Sequence, residues 1–460
     1  MNSRPDTVVI LAAGQGTRMK SPAAKVLAPL CGRPMLAWVI DQARSLAPKR
    51  VIVVVGHRAE DVRAAVAAAF AGAGVECVLQ EPQRGTGHAL QICLPLLGRD
   101  PGRVVVLYGD MPLLSQGSLE RLCEAQAASS GGAAVLTGEP ANPRGFGRVV
   151  RKEDGTVQAV VEEYVASSEQ LQIKEMNVGA YCFSAAWLWE ALTRIPLSKK
   201  GEYYLTDIVE LAVREGLPVQ ATVMEDLEEA IGINTRVHLA EVESAMRRRI
   251  NREHMLNGVT MRDPAATYID VGVSIGQDTL IMPNTYLQGE TRIGESDVIG
   301  PDSRVRDSQI GNDCMVLASD LEGAVLEDHV HIGPFARLRK GAHLAHGVHM
   351  GNFGEVKDSY LAPGVKLGHF SYIGNAQIGA GTNIGAGTIT CNFDGEKKHP
   401  TEIGEDAFIG SDTLLVAPVK IGDRARTGAG AVVTKDVPPD TLVAGMPARA
   451  IRKLERKTKP

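Results

Sequence analysis

The sequence has no apolar run long enough to cross a bilayer, and residues 1–6 carry neither the charged nor the apolar region of a secretory signal. A cytoplasmic chain with no membrane partner is the expectation. Excess positive charge is also missing. Lys and Arg number 49 against 54 Asp and Glu, a net charge of −5, which argues against nucleic acid as a partner. The seven cysteines are an odd, scattered set without metal-ligand spacing, as fits reduced thiols in a reducing compartment. Two common phosphate-binding signatures are absent too. No Gly-Lys-Ser/Thr follows the glycines near residue 14, which excludes a P-loop. Met19 stands where the dinucleotide fingerprint needs its third glycine.

What is present falls into two rhythms. The chain of 460 residues, 44% hydrophobic and 22% charged, is long enough for two or three domains. From about Ile275 onward an aliphatic residue followed by glycine recurs every six positions. It appears as Ile293-Gly294 and Ile299-Gly300, Leu367-Gly368 and Ile373-Gly374, Ile378-Gly379 and Ile384-Gly385, Ile403-Gly404, Ile409-Gly410 and Ile421-Gly422. A period of six fits a parallel β-helix of hexapeptides, in which three faces make a coil of roughly 18 residues. The aliphatic residue is expected to point inward. The small residue is expected at the corner, where a positive φ or a close backbone approach suits Gly, Asn or Asp. Steps of 18 relate Ile332 to Met350 and His331 to His349. The next steps land on Gly368 and Leu367, so the register drifts by one residue. The spacing drops to five between Ile373 and Ile378 and breaks between Ile384 and Ile403, where residues 391–398 must loop out.

The first half instead alternates continuous aliphatic runs (8–11, 51–55, 104–107) with helical stretches such as 35–46 and 59–70. This predicts a parallel sheet with helices on both faces. Residues 145–163 read as a β-hairpin turning at Glu153-Asp154-Gly155. Residues 235–257 read as a solvated linker helix.

Leu11-Ala12-Ala13-Gly14-Gln15-Gly16-Thr17-Arg18-Met19 follows the first run directly. Small residues there let backbone N–H groups face an anion, and Arg18 and Lys25 add two phosphate-seeking cations. Asp110 has two readings: a helix N-cap before Met111-Pro112, or a metal ligand at the end of a buried strand. Among the histidines between 329 and 369, the spacing of His343, His346 and His349 scatters them over different faces of a β-helix, against a zinc cage. His369 is either a solvated corner residue or a base able to deprotonate an attacking amine.

The segment from Leu11 to Lys25 resembles the signature of sugar-1-phosphate nucleotidylyltransferases. With the hexapeptide repeats attached, the chain from about Val8 to Val437 is similar to the bifunctional bacterial N-acetylglucosamine-1-phosphate uridylyltransferase/glucosamine-1-phosphate N-acetyltransferases. That resemblance implies an N-terminal Rossmann-like nucleotidyltransferase sheet domain (1–235), a linker helix (236–258) and a C-terminal left-handed parallel β-helix acetyltransferase domain (259–460). It implies acetylation of glucosamine-1-phosphate by acetyl-CoA, then UMP transfer from UTP to N-acetylglucosamine-1-phosphate, with Mg²⁺ as cofactor and a homotrimer as the assembly.

Residue by residue, it implies a uridylyl site of Leu11, Ala12, Ala13, Gly14, Gly16, Lys25, Gln80, Gly85, Thr86, Tyr108, Gly109, Asp110, Gly147, Glu162, Asn177 and Asn234. Arg18 and Lys25 would be catalytic, and Asp110 and Asn234 would hold the metal. In the acetyl site His369 would be the base, with Glu355 orienting it. Arg339, Lys357, Tyr372 and Asn383 would hold the sugar phosphate, and Ala386, Asn392, Phe393, Ser411 and Ala429 the acetyl-CoA. Two positions depart from the family. Phe393 stands where a Tyr is common, and Met446 where an Arg should meet the CoA phosphates; Arg449 or Arg452 are candidates to supply that charge. The alternative is a monofunctional nucleotidylyltransferase whose β-helix only oligomerises; a non-enzymatic scaffold is a second. Intact His369, Lys357, Tyr372 and Asn383 argue against the first, and intact Arg18, Lys25 and Asp110 against the second.

Overall fold

A computed structural model describes residues 3–97, 102–129, 132–143, 145–198 and 200–453. The chain forms two compact units, Met1–Met246 and Arg247–Pro460. The boundary falls inside the helix Arg236–Leu256.

The first unit is built on strands β1 (Thr7–Ala12), β2 (Arg50–Val55), β3 (Val75–Leu79), β4 (Arg103–Tyr108), β5 (Ala133–Gly138), β6 (Arg148–Arg151), β7 (Val157–Val161), β8 (Met176–Ser184) and β9 (Val219–Val223). The sheet order is β9-β5-β8-β4-β1-β2-β3, with the hairpin β6–β7 attached through β8. Strands β1, β2, β3 and β4 are parallel, and the Val and Ile side chains of β1, β2 and β4 are buried on both sides because helices cover both faces, while the edge strand β3 is only half-buried. The expected parallel sheet holds for β1–β4 but does not extend to every strand. Strand β8 runs antiparallel to both β4 and β5. It follows the excursion through β6 and β7, which is antiparallel itself, so the chain re-enters the sheet from the opposite end.

In the second unit three sheets of 12, 10 and 9 strands stack short parallel strands coil on coil, with only the final strand, Ala448–Lys453, turning back antiparallel among the described residues. Inward residues climb one face from Ile281 through Ile299, Val316, Ile332, Met350, Leu367 and Ile384 to Ile409. Met350 therefore pairs with Leu367, not Gly368, which is the one-residue drift seen in the sequence. The aliphatic residue of each repeat is buried: Ile293, Ile299, Leu367, Ile373, Ile378, Ile384, Ile403, Ile409 and Ile421 are each 5% exposed or less.

The structure separates the two roles open to the small residues. The glycine after the aliphatic residue mostly serves close approach, although a Cβ on Gly368 would meet nothing within 4 Å. A Cβ on Gly276 would sit 2.5 Å from the Gly294 carbonyl of the next coil, and one on Gly385 would sit 2.6 Å from that of Ile409. The left-handed conformation falls mostly elsewhere in the repeat, at residues such as Asp302, Asp313, Asn375, Asp406 and Asp412, while Gly300 and Gly333 combine a positive φ with the close approach.

One buried column inside the prism is polar. Asp297 N donates to Thr279 Oγ1 (3.1 Å), and Cys314 N donates to Asp297 Oδ1 (2.6 Å). Asp297 Oδ2 is buried and has no hydrogen-bond partner among the described residues. Burial pushes this carboxyl up to about 7, and the nearby Asp313 and Asp328 charges act the same way. All seven cysteines remain thiols. Among the described residues no helix is long and apolar enough to cross a membrane.

Candidate functional site

In the first unit a cleft of about 760 Å³ opens over the carboxyl ends of β1 and β4, as expected for an open α/β sheet. Its floor is the loop after β1. Gly16 is in the left-handed region, and any Cβ there would meet Lys25 Cβ at 2.5 Å, so this glycine lets Lys25 cross beneath the loop. Lys25 Nζ lies 2.5 Å from Asp110 Oδ2 and donates to Asn234 Oδ1 at 3.1 Å. Arg18 Nη2 donates to the same Asn234 oxygen at 2.8 Å. Asp110 follows β4, and its carbonyl accepts from Ile233 N (2.9 Å), which seats Asn234 beside it.

The rest of the cleft is assembled by backbone docking. Gln80 Nε2 donates to Gly85 O (2.9 Å) and lies 3.1 Å from His88 Nδ1. Thr86 Oγ1 accepts from Leu205 N (3.0 Å), tying the 84–87 turn to residues 202–205. Asn177 Nδ2 donates to Tyr181 Oη (2.6 Å), across an irregularity in β8 formed at Gly179. Gly179 has φ 92, and a Cβ on it would strike the Tyr108 ring. Burial raises the Glu162 carboxyl above its usual range, while a hydrogen bond from Thr206 (3.3 Å) opposes the shift. Burial, then the Glu162 charge, pushes the Tyr108 phenol up.

Of the uridylyl-site residues read from the sequence, Gly109 alone does not line this cleft. It packs beneath, donating to Leu11 O at 2.9 Å, and so holds Asp110 in place. Sequence reasoning missed Gln83, whose Nε2 caps Ala13 O at 2.8 Å, and also Glu202 and Tyr204. No motif marks the last two; they arrive by docking on the 84–87 turn.

In the second unit the residues expected to form an acetyl site fall at two corners of the prism: His369, Ala386, Ser411 and Ala429 between the sheets of 12 and 10 strands, and Arg339, Lys357 and Asn392 between those of 10 and 9. Gly387 N donates to Phe370 O (2.7 Å), Asp412 N to Ala386 O (2.6 Å) and Gly430 N to Ser411 O (2.8 Å). His369, Ala386, Ser411 and Ala429 thus lie along one corner, one coil apart. Tyr372 pairs in register with Glu355, and Asn383 with Lys366. Glu355 accepts from Arg339 Nη1 at 2.9 Å and has no bond to His369, which is exposed.

The inserted loop returns on its own coil. His399 Nε2 lies 2.6 Å from Asp394 Oδ2, His399 N donates to Asn392 O (2.7 Å), and Asn392 Nδ2 donates to Asn375 Oδ1 (2.7 Å). It brings Lys398 beside Lys357, and this neighbour depresses the Lys398 ammonium while Arg339 adds to the effect. Arg339, Lys357 and Lys398 make a three-cation cluster. Lys398 was missed because only the loop's return places it there. Phe393 is exposed, as is Met446. The histidines separate as expected: His343 and His349 lie on different sheets, and His343 Nε2 meets Glu327 Oε1 at 2.8 Å. Among the described residues no cluster of His, Cys, Asp or Glu could hold a metal ion by itself.

Fold and cleft together define an NTP-transferase domain carried on the same chain as a hexapeptide-repeat β-helix. The family described as MobA-like NTP transferase domain matches residues 8–203, and that described as bacterial transferase hexapeptide (six repeats) matches residues 400–435. The chain is 44% identical over 453 residues to the bifunctional protein GlmU of Exiguobacterium sibiricum, covering 98% of each. It is 45% identical over 438 residues to that of Streptococcus gordonii, and 42% over 438 residues to that of Streptococcus agalactiae serotype V, in both cases covering 95% of this chain and 94% of the relative. The chain belongs to the bifunctional GlmU family.

Proposed function

We infer that this chain is a bifunctional enzyme that acetylates glucosamine-1-phosphate with acetyl-CoA and then transfers UMP from UTP to N-acetylglucosamine-1-phosphate, releasing pyrophosphate. The observation that carries the reading is the convergence of Arg18, Lys25, Asp110 and Asn234 at the cleft loop. Uridylyl transfer is assigned to residues 1–235, acetyl transfer to 259–460, and 236–258 serve as the linker.

Both reactants of the uridylyl step are anions, so catalysis is mostly positioning and charge neutralisation. Arg18 and Lys25 present two cations to the phosphates. The N–H groups of the 12–16 loop add donors, and Gly147, Glu162 and Asn177 line the cleft where the sugar would sit. Asp110 and Asn234 fit Mg²⁺: one carboxylate and one amide oxygen already share a single cation, the Lys25 ammonium. When bound there, the ion would screen phosphate charge and help the leaving pyrophosphate.

In the acetyl step His369 takes the proton from the attacking amine. Arg339, Lys357 and Lys398 neutralise the sugar phosphate, and the corner ladder of Ala386, Ser411 and Ala429, with Asn392 and Phe393, receives the thioester arm. Glu355 acts on the cluster through Arg339. The seven thiols fit a cytoplasmic enzyme.

The test supplies glucosamine-1-phosphate, acetyl-CoA, UTP and Mg²⁺ and looks for UDP-N-acetylglucosamine. Absence of both half-reactions in soluble, folded protein would sink the proposal. We further propose a homotrimer whose acetyl sites draw on more than one chain. Mixed trimers of His369→Ala and Asn392-altered subunits should then regain activity. No recovery in verified mixed trimers would place each site within a single chain.

A further inference from the structure

One outward column of the prism ascends through Leu280, Val298, Met315, His331, His349, Lys366, Asn383, Phe408, Arg426 and Leu442. No carboxylate stands in that column. Near its end Phe408 is 46% exposed, and the Arg426 guanidinium lies 5.9 Å from the centre of its ring. Arg426 is exposed and makes no ion pair among the described residues. Arg424, two positions earlier, is committed to the fold: its Nε donates to Asp440 Oδ1 at 2.7 Å and its Nη2 to Oδ2 at 3.1 Å. Near its end the column thus carries an exposed ring and a cation that meet each other and form no ion pair among the described residues.

Their place relative to the corner ladder gives them a use. Phe408 and Arg426 precede Ser411 and Ala429 by three residues in their own coils, so they flank the same edge. Three strand spacings separate the His369 coil from the Arg426 coil, about 14 Å. A pantetheine arm is comparable to about four extended residues, also ~14 Å. A thioester at His369 would thus bring the nucleotide end of its carrier to the Arg426 coil. Met446, where the family's phosphate-binding arginine is expected, is exposed and uncharged.

We propose that Phe408 and Arg426 form the docking site for the nucleotide end of acetyl-CoA, the guanidinium pairing with a phosphate and the exposed ring meeting the base. This rests on the acetyl-transfer reading above. The experiment is steady-state acetyl transfer by the full chain with two donors: acetyl-CoA, and S-acetylpantetheine, which lacks the nucleotide. Arg426→Ala should raise KM for acetyl-CoA about tenfold or more, the size of a lost charge-assisted hydrogen bond, with kcat near normal. KM for S-acetylpantetheine should not move, and Arg426→Lys should recover part of the loss. Phe408→Ala should act in the same donor-selective way. An unchanged KM for acetyl-CoA, or an equal rise for both donors, would overturn the assignment. If the unaltered chain transferred no acetyl group from either donor, the acetyl-transfer reading would fall first and this inference with it.

Discussion

In the first unit the cleft joins residues as distant in sequence as Arg18 and Asn234, through a loop, a strand end and a backbone bond from Ile233. In the second, stacked neighbours are roughly 17 residues apart except across the inserted loop, where Asn383 pairs with Phe408, and a column is a list of residues at that step. The sheet domain makes a site by bringing unlike elements together. The β-helix makes one by repeating a single element, so position along the chain translates directly into height on the prism. Function in the repeat is therefore added at its irregularities: a histidine at a corner, an enlarged loop, an arginine in an outward column.

The largest expected effect separates the two chemistries. His369→Ala should cut acetyl transfer about a hundred- to ten-thousandfold, because the attacking amine loses its base, and leave uridylyl transfer near normal in the same preparation. Loss of both would show that the two sites are not independent. The reciprocal change, Asp110→Ala, should lower uridylyl transfer on the order of a hundred- to a thousandfold and spare acetylation. It also deprives the Lys25 ammonium of its carboxylate partner, so circular dichroism must accompany the assay.

Packing offers a third contrast. Ile373 is fully buried in the stacked column, so Ile373→Ala should destabilise the β-helix by about 2–5 kcal/mol. Calorimetry should show its transition shifting while that of the sheet domain stays. A shift of both together would mean the units unfold as one.

The smallest effect depends on pH. The folded-state pKa of Asp297 is raised to about 7, so its protonated form suits the interior. Its contribution is fully present below the unfolded carboxylate pKa and is lost as pH rises through about 7, because an ionised carboxylate is then buried. Asp297→Asn should therefore stabilise the β-helix by up to about 3 kcal/mol at pH 8 relative to the parent, with little gain at pH 4. A constant difference at both pH values would show that the side chain does not titrate in this range.

The sequence alone determined the periodic half, because a hexapeptide repeat states its own contacts. Each Ile or Leu of the Ile-Gly pairs is an inward position, and even the one-residue drift between Met350 and Leu367 shows in the spacing. It also exposed the 11–25 loop and Asp110, where glycines and cations mark local backbone demands. Only the tertiary structure decided the antiparallel course of β8, since the direction of a strand is set by where the preceding hairpin leaves the chain. Tertiary structure likewise brought Glu202 and Tyr204 into the cleft, set Lys398 beside Lys357, and gave Glu355 to Arg339 instead of His369. Each of these is a contact between segments whose approach no local pattern encodes. It depends on loops docking on surfaces that exist only once the cores of the two units have formed.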